Sequence, residues 1–475
     1  MRAAQQRAAT ALVRLAGELA GLSERFAAAG HELAIVGGSV RDALLGRLGE
    51  DVDLTTDARP EQVIELLRGW AEVHWEVGIA FGTIGARRGG LTLEITTYRA
   101  ELYQRESRKP EVVYGDSLEG DLSRRDFTVN SMAVIIPGLR LVDPSGGLRD
   151  LAAGLLRTPG TPQASYSDDP LRMMRAARFA AQLGFDIAPE VLAAMREMAD
   201  RLGIVSAERV RDELEKLLLS VDPVRGLRVL VDTGLADHVL PELPALQLEI
   251  DEHHRHKDVY EHSLTVLAQA VALEREGPDL RLLLAALLHD AGKPRTRRFE
   301  PGGGVSFHHH EVVGAKLVRK RLQALRFPKE VVADVARLVE LHLRFHGYGT
   351  GEWTDSAVRR YVRDAGGLLT RLHALTRSDC TTRNQRRAEA LARAYDDLEV
   401  RIERLAEQEE LGAIRPDLDG NEIMAALGLP PGPLVGRAYR FLLERRLDAG
   451  PLGRQRALAE LGQWWADQPE SRTQG

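Results

Sequence analysis

Three stretches near the front of the chain carry residues that can do chemistry: Gly37-Gly38-Ser39-Val40-Arg41-Asp42, then Asp51-Val52-Asp53, then Arg124-Arg125-Asp126-Phe127-Thr128-Val129-Asn130. In an extended segment alternate side chains share a face, so Asp51 and Asp53 project together while Val52 and Leu54 turn to a core. Two carboxylates on one face repel unless a cation lies between them. They suit one or two magnesium ions that bridge a triphosphate and an attacking hydroxyl. A diglycine turn entering a helix offers backbone N–H groups to phosphate oxygens. Gly38 permits close backbone approach, Ser39 reads as the N-cap, and Arg41 supplies a cation. Glu94, on the polar face of Leu91–Thr96, reads as a third carboxylate near the metals or as a surface acid. Arg125 suits phosphate or ribose and Asp126 a sugar hydroxyl, with a structural ion pair as the alternative. The set points to nucleotidyl transfer, with Mg2+ as cofactor.

Further along, Asp168-Asp169-Pro170 is expected to open a helix through Phe179, with acids in its first turn. On it Asp169, Arg172, Arg175 and Arg178 are three apart and share one face. A carboxylate and a guanidinium can present an acceptor and a donor to a base edge. A salt-bridged, solvated helix is the competing reading. Ser206 is an expected N-cap and Glu208 a helix-dipole partner in an element that supports this helix.

Ten of the 14 histidines lie between His253 and His346, which sets that region apart chemically. Arg281 to His289 reads as a nearly all-apolar helix ending in adjacent His289 and Asp290, and buried polar ends of that kind need partners. With His262 upstream and Asp379 downstream, the four suit an octahedral N/O metal site. His308, His309, His310 and His342 are candidates for a second divalent ion.

The elements that must position these groups are of two kinds. Leu33–Val36, Val52–Thr55, Thr83–Ala86, Leu91–Thr97 and Met132–Ile136 read as strands interspersed with helices. After Pro162 nearly every segment has the 3.6-residue period of a helix, with no second set of strand signals. The fold class is therefore α+β. Between Thr97 and Leu122 the charges Arg99, Arg105, Arg108, Lys109, Glu111, Asp116 and Asp121 form either a solvated loop or a mobile element over the nucleotide.

At 475 residues the chain is about three times the usual domain size, so several cores are expected. Hydrophobic and charged fractions of 44% and 28% are those of a globular protein, and no apolar run is long enough for a membrane span. Cys380 is the sole cysteine, which excludes an internal disulfide framework and fits a reducing compartment. The N-terminal stretch lacks a signal-peptide core, and a cytoplasmic location is expected. A net charge of −6 gives no global attraction for nucleic acid, so any RNA contact must rest on local basic patches.

The stretches GGSVRDALLGRLGEDVDLTT and RRDFTVN resemble the head of the class II tRNA nucleotidyltransferases and bacterial poly(A) polymerases, whose palm resembles that of DNA polymerase beta. DDPLRMMRAARFAAQLGF is similar to that family's nucleotide-selecting motif. The resemblance implies that Asp169 and Arg172 read the base, favouring CTP and ATP over GTP and UTP. It further implies that Arg175 and Arg178 contact phosphate or nucleotide. Asp168 stands where the family more often has glutamate. YEHSLTVL, ALLHDAGKPRT and FHHHEVVGAKL resemble the HD superfamily of metal-dependent phosphohydrolases, with Asp379 as the last acid.

Periodicity lapses at Thr158–Pro162, Leu240–Leu246 and near Pro416–Gly420, and with the resemblance, which reaches to about Arg383, these breaks give a polymerase-beta-like head over 1–158, a helical neck over 159–245, an HD domain over 246–400 and a helical tail over 401–475. The implied activity is addition of CCA to tRNA 3′ ends from CTP and ATP. The alternatives are poly(A) addition, a partial CC- or A-adding activity, a metal phosphohydrolase with a nucleotide-sensing head, and a non-catalytic RNA-binding protein. In the tail, Arg437, Arg440, Arg445 and Arg446 form either a charged helical face or a tRNA contact.

Overall fold

The computed structural model describes residues 2–98, 114–115, 117–248, 258–301, 304–345, 353–382, 384–409 and 414–473. Arg99, Arg105, Arg108, Lys109, Glu111 and Asp116 of the charged segment, and His253 and His346, lie outside these. The chain forms two compact units, Met1–Val239 and Leu240–Gly475.

The first unit holds a seven-stranded sheet: β1 (Leu33–Val36), β2 (Asp51–Thr56), β3 (Val73–Trp75), β4 (Thr83–Arg88), β5 (Leu91–Thr97), β6 (Ala133–Ile136) and β7 (Arg140–Val142). Their spatial order is β3-β4-β5-β2-β1-β6-β7. β1 is buried throughout and pairs antiparallel with β2 and β6, while β2 pairs parallel with β5. Alternation then decides the faces. Val52, Leu54, Leu93 and Ile95 are buried, whereas Asp51, Asp53 and Glu94 are exposed. Ala34 and Val36 pack on the opposite side from Ile35, against Leu118, Leu122, Ala133 and Val142.

Five strands stand where the apolar runs place them. β3 and β7 escape that reading because they are three-residue strands at the two ends of the sheet, with two of three side chains exposed in each, too short to show a pattern. The expectation of no strands beyond Pro162 is corrected by short pairs. Leu155–Leu156 pairs with Asp186–Ile187, and Arg298–Phe299 with Val305–Ser306, each two residues long. Segments of that length carry no period to read.

Two helix starts also differ from expectation. The helix after β1 runs Gly38–Leu44, and its N-cap is Gly37 at φ 68°, not Ser39. Only glycine adopts that conformation readily. The Ser39 hydroxyl instead accepts the Asp53 backbone N–H at 2.8 Å, fastening helix to strand. The acidic pair does not open the selecting helix. Asp168 ends the Pro162–Asp168 helix, and Leu171–Leu183 begins after Pro170. This second helix packs against Ala207–Leu218 and Pro223–Asp232. Ser206 caps Ala207–Leu218 as expected, accepting the Arg209 N–H.

The second unit is helical. Val259–Leu273, Leu280–Leu288 and Leu369–Ser378 pack together, and Lys329–Leu341 joins Leu280–Leu288 to His310–Ala324. Leu282 to Leu288 are all buried, which is why this helix reads as apolar all round. The tail helices Gly420–Leu427, Pro433–Ala449 and Arg454–Ala466 form their own core from Leu418, Ile423, Ala438, Leu442, Ala457 and Leu461. Among the described residues no helix is long and apolar enough to cross a membrane.

Candidate active site and metal centre

The β2–β5 register puts Asp53 directly opposite Glu94. Both line a cavity of about 870 Å³ together with Gly37, Gly38, Arg41, Arg125, Asp126, Asp169, Arg172, Arg175 and Arg178. A single pocket of nucleotide size thus gathers most of the groups the sequence singles out. Asp51 shares the Asp53 face and is exposed, but stands outside the lining. A side chain at Gly38 would lie 3.6 Å from both Asp53 Oδ2 and Arg41 Nη2, so the acid sits against the diglycine turn. At Gly37 a Cβ would fall 2.7 Å from Arg125 Nη1, where the arginine crosses the turn. The Asp53 side chain is open to the cavity, but the surrounding walls desolvate it and raise its pKa; Arg125 and Arg41 oppose this, and the neighbouring Glu94 and Asp51 carboxylates add to it. An acid pushed toward protonation by desolvation first and by like charges second is a natural cation ligand.

The cations around it are held in place. Arg41 forks onto Asp42 at 3.0 and 2.7 Å and donates to Asn130 Oδ1 at 2.6 Å. Arg125 pairs with Asp121 at 3.1 Å. Asp126 is buried, its Oδ1 accepting from Phe127 N–H at 2.8 Å and Asn130 Nδ2 at 3.0 Å and its Oδ2 pairing with Arg175 Nη2 at 2.8 Å. Burial works against its ionisation, yet Arg175 and Asn130 hold its pKa below the usual value. Arg178 likewise lines the cavity with its guanidinium turned to Glu213, Nε to Oε2 at 2.5 Å, and to Gln182 at 2.7 Å. Arg175, Arg178 and Arg41 all lie over the Phe179 ring.

Asp169 accepts the Leu171 N–H at 3.1 Å and pairs with Arg209 at 2.7 Å. Arg172 donates to Ser165 Oγ at 2.9 Å and to the Arg124 carbonyl at 2.7 Å. Arg124, Arg209, Phe81 and Asn130 also line the pocket. Neither Arg209 nor Glu213 stood out as a site residue, because their role appears only when Ala207–Leu218 packs on the selecting helix. The one available signal was their four-residue spacing, which puts both on one helix face.

In the second unit the histidines converge. His262 Nε2 lies 2.9 Å from Asp379 Oδ1 and 3.3 Å from His289 Nε2. His310 Nε2 lies 3.3 Å from His342 Nε2 and 3.3 Å from Asp290 Oδ1. Asp290 Oδ2 is 3.2 Å from His289 Nε2, so this carboxylate faces both histidine pairs. Two triads result, His262-His289-Asp379 and Asp290-His310-His342, with Asp290 standing between them rather than in the first alone. The ring orientations explain why a cation fits. Nδ1 of His289, His310 and His342 faces the carbonyls of Ala286, Phe307 and Val339, and that of His262 faces Thr381 Oγ1. A carbonyl can only accept, so Nδ1 of His289, His310 and His342 carries a proton and Nε2 is the atom each ring turns to the cluster, an orientation that suits metal ligation. Burial disfavours a charged His289, but Asp290 and Asp379 raise its pKa to about 9. Burial and the His289 charge push His342 down to about 3. His308 and His309 are corrected: both are exposed and outside the triads, because His309 turns the chain at φ 62° just before the His310–Ala324 helix.

The tail arginines have internal partners. Arg437 pairs with Glu470 and Arg445 with Glu460, while Arg446 and Arg440 donate to the Glu409 and Gly436 carbonyls.

Fold and site together define a nucleotidyltransferase head followed by helical and HD regions. Family profiles agree. The "Poly A polymerase head domain" matches residues 33–157, the "Probable RNA and SrmB- binding site of polymerase A" 184–246, and the "HD domain" 259–402. The chain is 36% identical over 443 residues to the A-adding tRNA nucleotidyltransferase of Deinococcus radiodurans, covering 92% of this chain and 96% of that one. It is 35% identical to the CC-adding tRNA nucleotidyltransferase of Thermus thermophilus, covering 90% and 93%. The CCA-adding enzyme of Bacillus pumilus is 41% identical over 46% of this chain and 52% of its own. The chain belongs to the tRNA nucleotidyltransferase and poly(A) polymerase family. In fold it is similar to the Bacillus stearothermophilus CCA-adding enzyme solved with CTP, at TM-score 0.68 and 24% identity over 94% of this chain and 96% of that one.

Proposed function

We propose that this protein is a CCA-adding tRNA nucleotidyltransferase, which extends tRNA 3′ ends from CTP and ATP without a template and releases pyrophosphate. The observation that carries the reading is the Asp53–Glu94 pair set against the diglycine turn in one arginine-walled cavity. Asp51, Asp53 and Glu94 would hold Mg2+, which when bound supplies charge neutralisation at the entering and leaving oxygens. Gly38, Arg41 and Arg125 would take the triphosphate, with Arg175 and Arg178 firming the wall behind it through Asp126 and Glu213. Cytosine and adenine both offer an amino donor beside a ring-nitrogen acceptor, whereas uracil and guanine present the reverse. A carboxylate at Asp169 and a guanidinium at Arg172 match the first pattern.

We assign 1–158 to the head, 159–245 to the neck, 246–400 to the HD domain and 401–475 to a tail available to tRNA. The sole cysteine and a tRNA substrate suit the cytoplasm. His262, His289, Asp290 and Asp379, with His310 and His342, would hold one or two divalent ions in the HD domain.

A second reading, addition of C alone or A alone, is favoured by a specific observation. The two relatives that align over 92% and 90% of this chain are named A-adding and CC-adding. Offering CTP and ATP separately and together, on tRNA ending before the first C and on tRNA ending in CC, distinguishes the readings. Full CCA on the shorter tRNA supports the first. Activity confined to one nucleotide replaces it with the second, and long A tracts without CTP overturn both in favour of poly(A) addition.

A further inference from the structure

Ser165 joins the two residues assigned to the base edge. Its backbone carbonyl accepts the Asp169 N–H at 3.1 Å, and its hydroxyl accepts from Arg172 Nη1 at 2.9 Å. The other arm of that guanidinium, Nη2, donates to the Arg124 carbonyl at 2.7 Å. A planar fork fastened at both tips, by acceptors from two separate segments, can neither rotate nor slide. Ser165 is only 7% exposed, so its hydroxyl is largely shielded from bulk water. The neighbouring Tyr166 hydroxyl is also buried yet makes no hydrogen bond among the described residues, which leaves Ser165 as the side chain of this helix that grips the arginine. The Asp169 carboxylate is fixed independently, by the Leu171 N–H and by Arg209. The angle between acceptor and donor groups is therefore set before any nucleotide arrives.

We propose that Ser165 is a positioning residue for nucleotide selection: it locks the Arg172 guanidinium plane relative to Asp169, so that a base must carry an amino donor beside a ring acceptor to satisfy both. The proposal rests on the reading that Asp169 and Arg172 face the base. Released from Ser165, the guanidinium is free to turn a different pair of N–H groups toward the pocket and donate to the carbonyl oxygen of uracil or guanine. Hydrogen bonds to charged groups are strong enough that losing this one relaxes discrimination by about tenfold.

The test compares kcat/KM for the incorporated nucleotide with that for its uracil or guanine counterpart, CTP against UTP or ATP against GTP, on the full chain with truncated tRNA. Ser165→Thr and Ser165→Val have nearly the same volume and differ in the hydroxyl, which separates positioning from packing. The expected result is a ratio within about twofold of wild type for Ser165→Thr and about tenfold lower for Ser165→Val, with the change arising mainly in KM for the wrong nucleotide. A merely structural role would lower kcat and thermal stability for all nucleotides and leave the ratio intact, which would overturn the proposal. Arg172→Lys tells the two levels apart. If it collapses the ratio while Ser165→Val does not, the base-reading assignment stands and the Ser165 role fails. If neither variant moves the ratio, the base-reading assignment itself is wrong and the proposal goes with it.

Discussion

Asp53 and Glu94 face each other across the parallel strands β2 and β5, at the same level of the ladder and on the same side of the sheet. Parallel neighbours give this alignment a rigid basis, because both side chains leave a backbone that is hydrogen-bonded and buried on its other face. The Asp53 amide is further fixed by Ser39 from the helix behind it. Two acids on separate strands are thus held at one point without a loop between them.

The closeness of these acids costs stability when Asp53 is ionised. Desolvation by the cavity walls and the two neighbouring acids raise the folded-state pKa of Asp53 above 3.8. An acid whose folded pKa is raised opposes folding when ionised, fully above that raised value and not at all below the unfolded one. Asp53→Asn is therefore expected to raise the melting temperature of metal-free protein at neutral pH, the gain fading as the pH is lowered toward 4. The same variant should lose nucleotide incorporation by about a thousandfold or more. Calorimetry across pH, paired with an incorporation assay, checks both halves.

Arg178 and Glu213 form a second relationship with a measurable consequence. Both are buried, at 8% and 7% exposure, and joined at 2.5 Å. Removing one partner leaves a buried charge unpaired, so Arg178→Met alone should cost about 3–5 kcal/mol in chemical denaturation. Combining it with Glu213→Leu should recover most of that loss. Arg178→Met with unchanged stability would mean the pair is solvated.

In the helical unit, Gly292 is the tightest point beside the histidine cluster. A Cβ there would lie 2.0 Å from the His310 carbonyl and 2.7 Å from the Gly314 nitrogen, both backbone atoms. Gly292→Ala must push the His310–Ala324 helix away from Asp290, at a cost of about 1–3 kcal/mol. Bound divalent metal, measured by elemental analysis after dialysis, should fall, while nucleotide incorporation persists.

Chelation provides a related check. If the two triads hold metal, treatment with a strong chelator should lower the melting temperature of the wild-type protein, with recovery on adding back divalent ions. His289→Ala should melt lower than wild type before treatment and respond little to the chelator. Equal responses in the two proteins would count against the assignment.

The legible parts of this chain were those where one physical rule acts locally. Strand alternation placed Asp51 and Asp53 together, and the apolar run into His289-Asp290 marked a buried polar end that needed partners. Adjacent-element effects were not legible. Ser39 looked like an N-cap, yet glycine's freedom at Gly37 moved the helix start and released the hydroxyl to Asp53. Asp169 looked like a helix opener, but Pro170 separates it from the helix that carries Arg172. Arg178 and Asp126 drew attention as ligand contacts because a sequence shows charge, while the partners that bind them, Glu213 and Arg175, are set by packing. The division of the histidine set into two triads around Asp290 likewise depends on how four helices and a turn converge.

The most direct test of the central claim is Mg2+-dependent transfer of labelled CMP or AMP to tRNA lacking its 3′ terminus, run side by side on wild type and Asp53→Asn. The account predicts a short, defined extension by wild type, with one pyrophosphate released per nucleotide added, and none by the variant. Extension by Asp53→Asn at the wild-type rate would contradict it.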